Sequence, residues 1–260
     1  MTALGGFYNR MSMLKVGLSH VVGLKGKGRL LWFVLVFPKP VELMVRTPYG
    51  NMRFPDGFFY AVKPNYEPET RRLISLLRGC LFVDVGAHAG VYSILAGKNG
   101  NKVIALEPDP RTFRCLRENL VMNRVDAETY PYAAWREDGF VDLEFGKQSS
   151  LTRTKVGTSV RAVTLDTILG GRIPDLVKID VEDSELEVLK GMTKTLKAAT
   201  HMKVVYEALG KEHSANAKEF LQRFDYTSEL LERWGSASMP EWGNYVAQKA
   251  PLKGIRSSTD

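Results

Sequence analysis

From residue 81 onward, short apolar runs alternate with segments whose apolar residues recur every three to four positions. This is the signature of buried strands interleaved with amphipathic helices. The runs Leu81–Val85, Lys102–Glu107, Thr129–Ala133, Leu176–Val181 and Lys203–Ala208 predict five strands of one sheet. Phe140–Phe145 predicts an additional strand, and Tyr245–Gln248 a closing one. Between them, Val91–Lys98 reads as a helix. A second helix opens at Asp109-Pro110, with the aspartate as N-cap and proline at the first helical position, and places Phe113, Leu116 and Leu120 on one face. Ser184-Glu185-Leu186-Glu187 matches a capping box and predicts a helix through about Met192. Ala215–Phe224 predicts another. Strands alternating with helices imply an α/β fold whose largely parallel sheet is covered on both faces.

Upstream the pattern changes. Glycines at positions 5, 6, 17, 23, 26 and 28 interrupt any long helix. Val41–Thr47 and Met52–Pro55 predict a hairpin around Pro48-Tyr49-Gly50-Asn51, and Pro68–Leu77 a helix with Leu73, Leu76 and Leu77 on one side. The expected organisation is an N-terminal extension with a hairpin (residues 1–65), an α/β domain (66–250) and a polar, flexible tail (251–260).

Charge sharpens this division. Residues 1–53 carry Arg10, Lys15, Lys25, Lys27, Arg29, Lys39, Arg46 and Arg53 against Glu42 alone, which accounts for the entire net charge of +7. The α/β domain is therefore neutral overall, and the extension is the part suited to meeting phosphates of lipid or nucleic acid. The apolar run Leu30–Phe37, with Trp32 and Phe33, is closed by Pro38. It is far shorter than the roughly 20 residues that span a bilayer and lacks a cleavage site, so secretion is not expected. It is read as a buried strand or helix, with peripheral contact to an anionic membrane as the competing reading. Cys80 and Cys115 form neither a disulfide framework nor a metal-ligand spacing, and a reducing cytoplasm is the expected setting.

In an open parallel sheet, ligands bind beyond the carboxyl ends of the strands. The unusual polar residues of this chain fall there. The first predicted strand runs into Asp84-Val85-Gly86-Ala87-His88-Ala89-Gly90, where Gly86 permits a tight turn and Gly90 a close backbone approach. His88 stands at the middle glycine position of the dinucleotide fingerprint, which argues against a bound pyrophosphate. The second strand ends in Glu107, 23 residues after Asp84, where a carboxylate can accept hydrogen bonds from both ribose hydroxyls. A glycine loop plus a terminal acid reads as a nucleoside site without a phosphate clamp, and S-adenosylmethionine is such a ligand. Lys178-Ile179-Asp180-Val181-Glu182 and Val204-Val205-Tyr206-Glu207 bring three more carboxylates, Asp180, Glu182 and Glu207, to strand ends. Acids in strands of Leu, Val and Ile are poor core residues unless paired.

Taken together, Val83 to Gly90, Glu107-Pro108, Thr164-Leu165-Asp166 and Lys178 to Glu182 followed by Glu185 to Gly191 are similar to the FkbM methyltransferase family over roughly residues 66–207. The resemblance implies a class I methyltransferase Rossmann-like fold with a mostly parallel seven-stranded sheet. It also implies S-adenosylmethionine as donor and a hydroxyl on a sugar, glycolipid or secondary metabolite as acceptor. By position, it places Asp84, Gly86, His88 and Gly90 around the methionine part of the cofactor, with Asp180 nearby. Glu107 falls on the ribose, and Tyr132 and Ala133 on adenine. Position 88 is often asparagine in that family. Asp183 stands where the family usually has glycine, a departure beside the acceptor.

Methyl transfer to a hydroxyl needs in-line placement of the reactants and gains from a general base. Asp180 is the first candidate for that base, followed by Glu207 and Glu182, with His88 as an outside one. No metal site is expected, although the three acids could hold a divalent cation through oxygen, a less favoured alternative. Two rivals remain: an RNA methyltransferase using the basic extension, and a cofactor-binding module without catalysis docked to a membrane or partner.

Overall fold

The computed structural model describes residues 43–55, 66–143, 151–152, 158–233 and 242–249. The apolar run Leu30–Phe37, the basic residues up to Lys39 and the tail from Pro251 lie outside them. The chain divides into two compact units, residues 1–66 and 67–260.

In the first unit, β1 (Leu43–Thr47) and β2 (Gly50–Phe54) form an antiparallel hairpin. The Thr47 hydroxyl accepts from the Tyr49 amide (3.0 Å) and donates to the Gly50 carbonyl (2.7 Å), closing a turn of Pro48 and Tyr49.

The second unit is built on a seven-stranded sheet. Its strands are β3 (Leu81–Val85), β4 (Lys102–Leu106), β5 (Glu128–Tyr130), β10 (Leu176–Ile179), β11 (Lys203–Leu209), β12 (Tyr226–Arg233) and β13 (Trp242–Lys249). Their order is β12-β13-β11-β10-β3-β4-β5. Every pairing from β11 to β5 is parallel, and β13 runs antiparallel between β11 and β12. Val83, Val85, Ile104, Leu106, Val177, Ile179, Val204 and Tyr206 supply the core from the sheet.

The helices of this unit are α1 (Pro68–Leu76), α2 (Val91–Lys98), α3 (Pro110–Met122), α4 (Leu165–Leu169), α5 (Glu185–Lys190), α6 (Thr193–Ala198) and α7 (Lys211–Gln222). Asp109 caps α3 as expected, its Oδ1 accepting the Arg111 and Thr112 amides at 3.0 and 2.7 Å.

Three local expectations need correction. The strand predicted over Thr129–Ala133 is broken by Pro131, which has no N–H for a ladder. Its first part, β5, stays in the main sheet. Its second, β6 (Ala133–Ala134), joins β7 (Gly139–Leu143), β8 (Leu151–Thr152) and β9 (Thr158–Val163) in a second sheet of order β6-β9-β7-β8. The predicted additional strand is thus β7 in a separate sheet. The capping box does not close, because Ser184 makes no capping hydrogen bond, and the Glu185 carboxylate reaches back to the Val181 amide (3.1 Å). The helix it opens ends at Lys190, and α6 follows, its Lys194 and Thr195 amides received by Asp166 at 2.9 Å each. Edge strand β12 escaped the periodicity because Glu229, Glu232 and Arg233 keep it half-solvated.

The start of α1 also depends on tertiary structure. Its N-cap, Glu67, has a left-handed φ of 46° and makes no capping bond. Glu232 on β12 substitutes from 163 residues away, accepting the Glu69 amide at 3.0 Å, the Thr70 amide at 3.2 Å, the Thr70 hydroxyl, and the Asn244 side chain at 3.0 Å. Among the described residues no helix is long and apolar enough to cross a membrane. Glu232→Ala strands these donors and is expected to cost about 2 kcal/mol, the scale of hydrogen bonds to a charged group. Thermal melting then shows a Tm lowered by roughly 4–8 °C, and an unchanged Tm removes Glu232 as the anchor of α1.

Candidate active site

Because β3, β4, β10 and β11 are parallel, their carboxyl ends share one edge of the sheet. Asp84 on β3 is in register with Lys178 on β10, which places both side chains on one face. After β3 the chain turns tightly, and the Gly86 and Ala87 amides both donate to the Leu106 carbonyl at 3.0 and 2.9 Å. Gly86 has φ +77°, and a Cβ there would fall 1.8 Å from the Asp180 carbonyl oxygen. The glycine therefore lets the β3 loop press against the end of β10, which the Asp180 amide also ties to Val85 (3.0 Å). At Gly90 the neighbour is equally internal. A Cβ would meet Leu116 Cδ1 at 2.6 Å, so this residue packs α2 onto α3.

Glu107 closes the other side of the loop. Its Oε2 accepts the His88 amide at 2.9 Å and its Oε1 the Asp109 amide at 3.0 Å, leaving a second lone pair on each oxygen. Burial pushes this carboxyl up to about 8, although the two amides pull it down. His88 holds a left-handed φ of 50°, so the residue shapes the loop through its backbone.

The remaining acids form a buried layer around one cation. Ser93 donates to Asp84 Oδ2 at 2.6 Å, while Asp84 Oδ1 is buried without a partner. Lys178 Nζ lies 2.7 Å from Asp180 Oδ2 and 4.7 Å from the centre of the Tyr92 ring, whose hydroxyl donates to Glu67. Asp180 is also hydrogen-bonded to Glu207, whose Oε2 is buried and unpartnered. Burial and the Asp180 charge drive Glu207 well above the ordinary carboxylate range. Burial pushes Asp180 in the same direction, but Lys178 and the Glu207 bond overcome it and leave Asp180 below its usual value. The two acids of this pair are thus pushed in opposite directions, Glu207 up and Asp180 down. Glu67 and Asp84 are likewise raised by burial, against the pull of Lys178.

Of the residues singled out in the sequence, Asp84, Gly86, His88, Glu107, Asp180 and Glu207 are linked by these contacts. Glu182, half-buried with φ 52°, follows directly on this edge, and burial together with Asp180 raises it to about 7. Asp183 beside it has φ 71°, which accounts for glycine being the easier residue there; its carboxylate meets His213 Nδ1 at 3.2 Å. Tyr132 and Ala133 stand apart, in the crossing to the second sheet. Tyr132 lies under the Arg161 guanidinium (4.7 Å) and 5.9 Å from Tyr130, whose carbonyl receives the Glu107 amide. Ala133 is buried with Trp135, Val141, Val160 and Ala162. Glu67, Tyr92 and Glu185 were not anticipated as members. The alternation that put Lys178 beside Asp180 was a usable signal, whereas Glu67 read only as the residue before a helical proline. Among the described residues no group of three or more His, Cys, Asp or Glu is arranged to hold a metal ion.

The acids set a pH dependence. Glu107 and Glu185 are each raised by burial to about 8, from 4.5 in the unfolded chain. Between these values the folded state holds protons that the unfolded state has released, so stability falls as pH rises. The Tm of the ligand-free protein is expected to drop as pH rises from about 5 to about 9. Glu107→Gln and Glu185→Gln should each flatten the slope, and a slope in either variant unchanged from that of the unmodified protein contradicts the assignment of that residue.

The fold agrees with what the chain resembles. Residues 84–235 match the Methyltransferase FkbM domain. The chain is 33% identical over 135 residues to the hexuronic acid methyltransferase AglP of Haloferax volcanii, a match covering 48% of this chain and 55% of that protein. A 64-residue stretch is 41% identical to a Danio rerio tRNA (guanine(37)-N(1))-methyltransferase, covering 24% of this chain and 13% of the relative. The chain thus spans about half, or less, of these curated relatives. The crystal structure of a putative transferase from Pyrococcus horikoshii superposes with a TM-score of 0.54 over 86% of this chain and 83% of that one, at 16% identity, which shows a common fold. With more than half its length matched by that domain, on a mainly parallel seven-stranded α/β sheet, the chain belongs to the FkbM methyltransferase family.

Proposed function

We propose that this protein transfers a methyl group from S-adenosylmethionine to a hydroxyl oxygen of a sugar, with Asp180 as the general base. The observation that carries this reading is the state of Asp180, a carboxylate held ionised at the carboxyl edge of the sheet by a buried ammonium. When bound, the cofactor supplies a methyl carbon made electrophilic by a cationic sulfur. Glu107 fits the ribose, having two lone pairs beyond its backbone amides and a carboxyl that ribose hydroxyls can address. Asp84, with a buried unpartnered oxygen, and the turn from Gly86 through His88 to Gly90 fit its cationic methionine portion. Tyr132 and Ala133 are assigned to the adenine side. Asp180 accepts a hydrogen bond from the acceptor's hydroxyl and takes its proton as the methyl carbon exchanges its bond to sulfur for one to that oxygen, the neutral thioether being the leaving group. Glu207, raised by burial and by the Asp180 charge, adjoins Asp180 and helps to hold its carboxylate in place. Glu182 borders the same edge.

The sugar class is supported by the relative named for a hexuronic acid. Such a sugar offers both hydroxyls and a carboxylate. A carboxylate is already a nucleophile, needs no base, and would be repelled by the charge of Asp180. A hydroxyl is neutral and needs the base the site offers.

Two substitutions separate binding from chemistry. Glu107→Ala should weaken binding of S-adenosylhomocysteine roughly 5–150-fold by calorimetry, the range for losing two hydrogen bonds of about 0.5–1.5 kcal/mol each. Asp180→Asn should bind that nucleoside normally yet lose about 100-fold or more in transfer of labelled methyl to a glycan fraction. Full turnover in Asp180→Asn removes it as the base, and label entering RNA in place of glycan overturns the sugar reading.

A further inference from the structure

Lys178 takes no part in the chemistry just described, yet it is the most unusual residue in the sheet. It sits in the central strand with its side chain 2% exposed, whereas that of its partner Asp180 is 23% exposed. The lysine therefore stands behind the aspartate, out of reach of a substrate, and its ammonium meets Asp180 Oδ2 at 2.7 Å from the protein side. The ammonium also lies over the Tyr92 ring, 4.7 Å from its centre. The Tyr92 hydroxyl donates to Glu67, which enriches the ring's face and strengthens its hold on a cation. Glu67 is fixed in turn at the start of α1. The titratable groups that interact with Asp180 are Glu207 on β11, Asp84 on β3, His88 in the loop after it, Glu67 at the start of α1, Glu185 on α5, Lys178 on its own strand and Glu182 following it in the chain. Of these, Lys178 bears a permanent positive charge.

We propose that Lys178 is a positioning residue whose ammonium, in contact with both the Tyr92 ring and Asp180, fixes the orientation and charge of the Asp180 carboxylate. Tyr92 and Glu67 form its supporting shell. The functional meaning of this arrangement rests on Asp180 being the base, but the arrangement can be tested without turnover. A lysine kept only to fill the core would leave the titration of Asp180 unaltered on removal. A lysine acting as described would not.

The experiment is a carbon-13 NMR titration of the full chain labelled at aspartate carboxyls, with the Asp180 signal assigned by its loss in Asp180→Asn. In the unmodified protein Asp180 should remain ionised below the ordinary aspartate midpoint of about 3.9. Lys178→Met should raise the midpoint by at least about one unit, Lys178→Arg should restore most of it, and Tyr92→Leu should give a smaller rise. A midpoint in Lys178→Met within about 0.3 units of the unmodified protein overturns the proposal. If Lys178→Met does not fold, the double variant Lys178→Met/Asp180→Asn decides. Recovery of a folded protein on removing both charges supports the coupling, since the single change strands a buried carboxylate. A double variant that remains unfolded shows that Lys178 serves packing alone and overturns it. Failure of Asp180 as base would appear separately, as normal turnover in Asp180→Asn with the Lys178 effect on its titration intact.

Discussion

Desolvation of carboxylates at the carboxyl edge of the sheet is the constraint from which the site follows. Glu67, Asp84 and Glu207 are all buried, and each is pushed toward its protonated form. The lysine of β10 changes the balance for a fourth acid, Asp180. Its ammonium, itself kept charged by Asp180 against the effect of burial, pulls Asp180 below its usual value. A buried ion pair of this kind contributes little to stability and can cost more than an apolar replacement. Its presence at the edge where α/β sheets bind ligands is understandable as a functional demand placed on the fold.

The same edge shows how backbone geometry serves chemistry. Gly86 is required because the Asp180 carbonyl occupies the space a side chain would need, so the β3 loop and the end of β10 cannot be separated. His88, held with positive φ, hands its amide to Glu107. Glu107 and the proposed base are thus tied to the two ends of one hydrogen-bonded turn. Any side chain at position 86 would disturb both.

Farther from the edge, structure is supplied by partners distant in sequence. Glu232 organises the first turn of α1 from β12, and Asp166 receives the opening amides of α6 from α4. The motif Thr164-Leu165-Asp166 is in this respect a folding device. Thr164 caps α4, accepting the Thr167 amide at 3.1 Å, and Asp166 joins α4 to α6.

Periodicity in the sequence was enough to determine the five parallel strands, the helices that begin at Val91 and Pro110, and the class of fold, because burying both faces of a parallel sheet demands long-range hydrophobic patterning that few substitutions can disguise. It also placed Asp84, Glu107, Asp180 and Glu207 at strand ends, where parallel connectivity makes neighbours of residues far apart in the chain. It could not reveal the division at Pro131, since a ladder interrupted by one missing amide looks continuous in hydropathy, nor the solvated edge strand β12. Above all, it left open which acid is charged. That depends on the distance from one ammonium to one carboxylate and on how much water remains around each, and both quantities come into being only when β3, β10, β11 and the start of α1 are packed together.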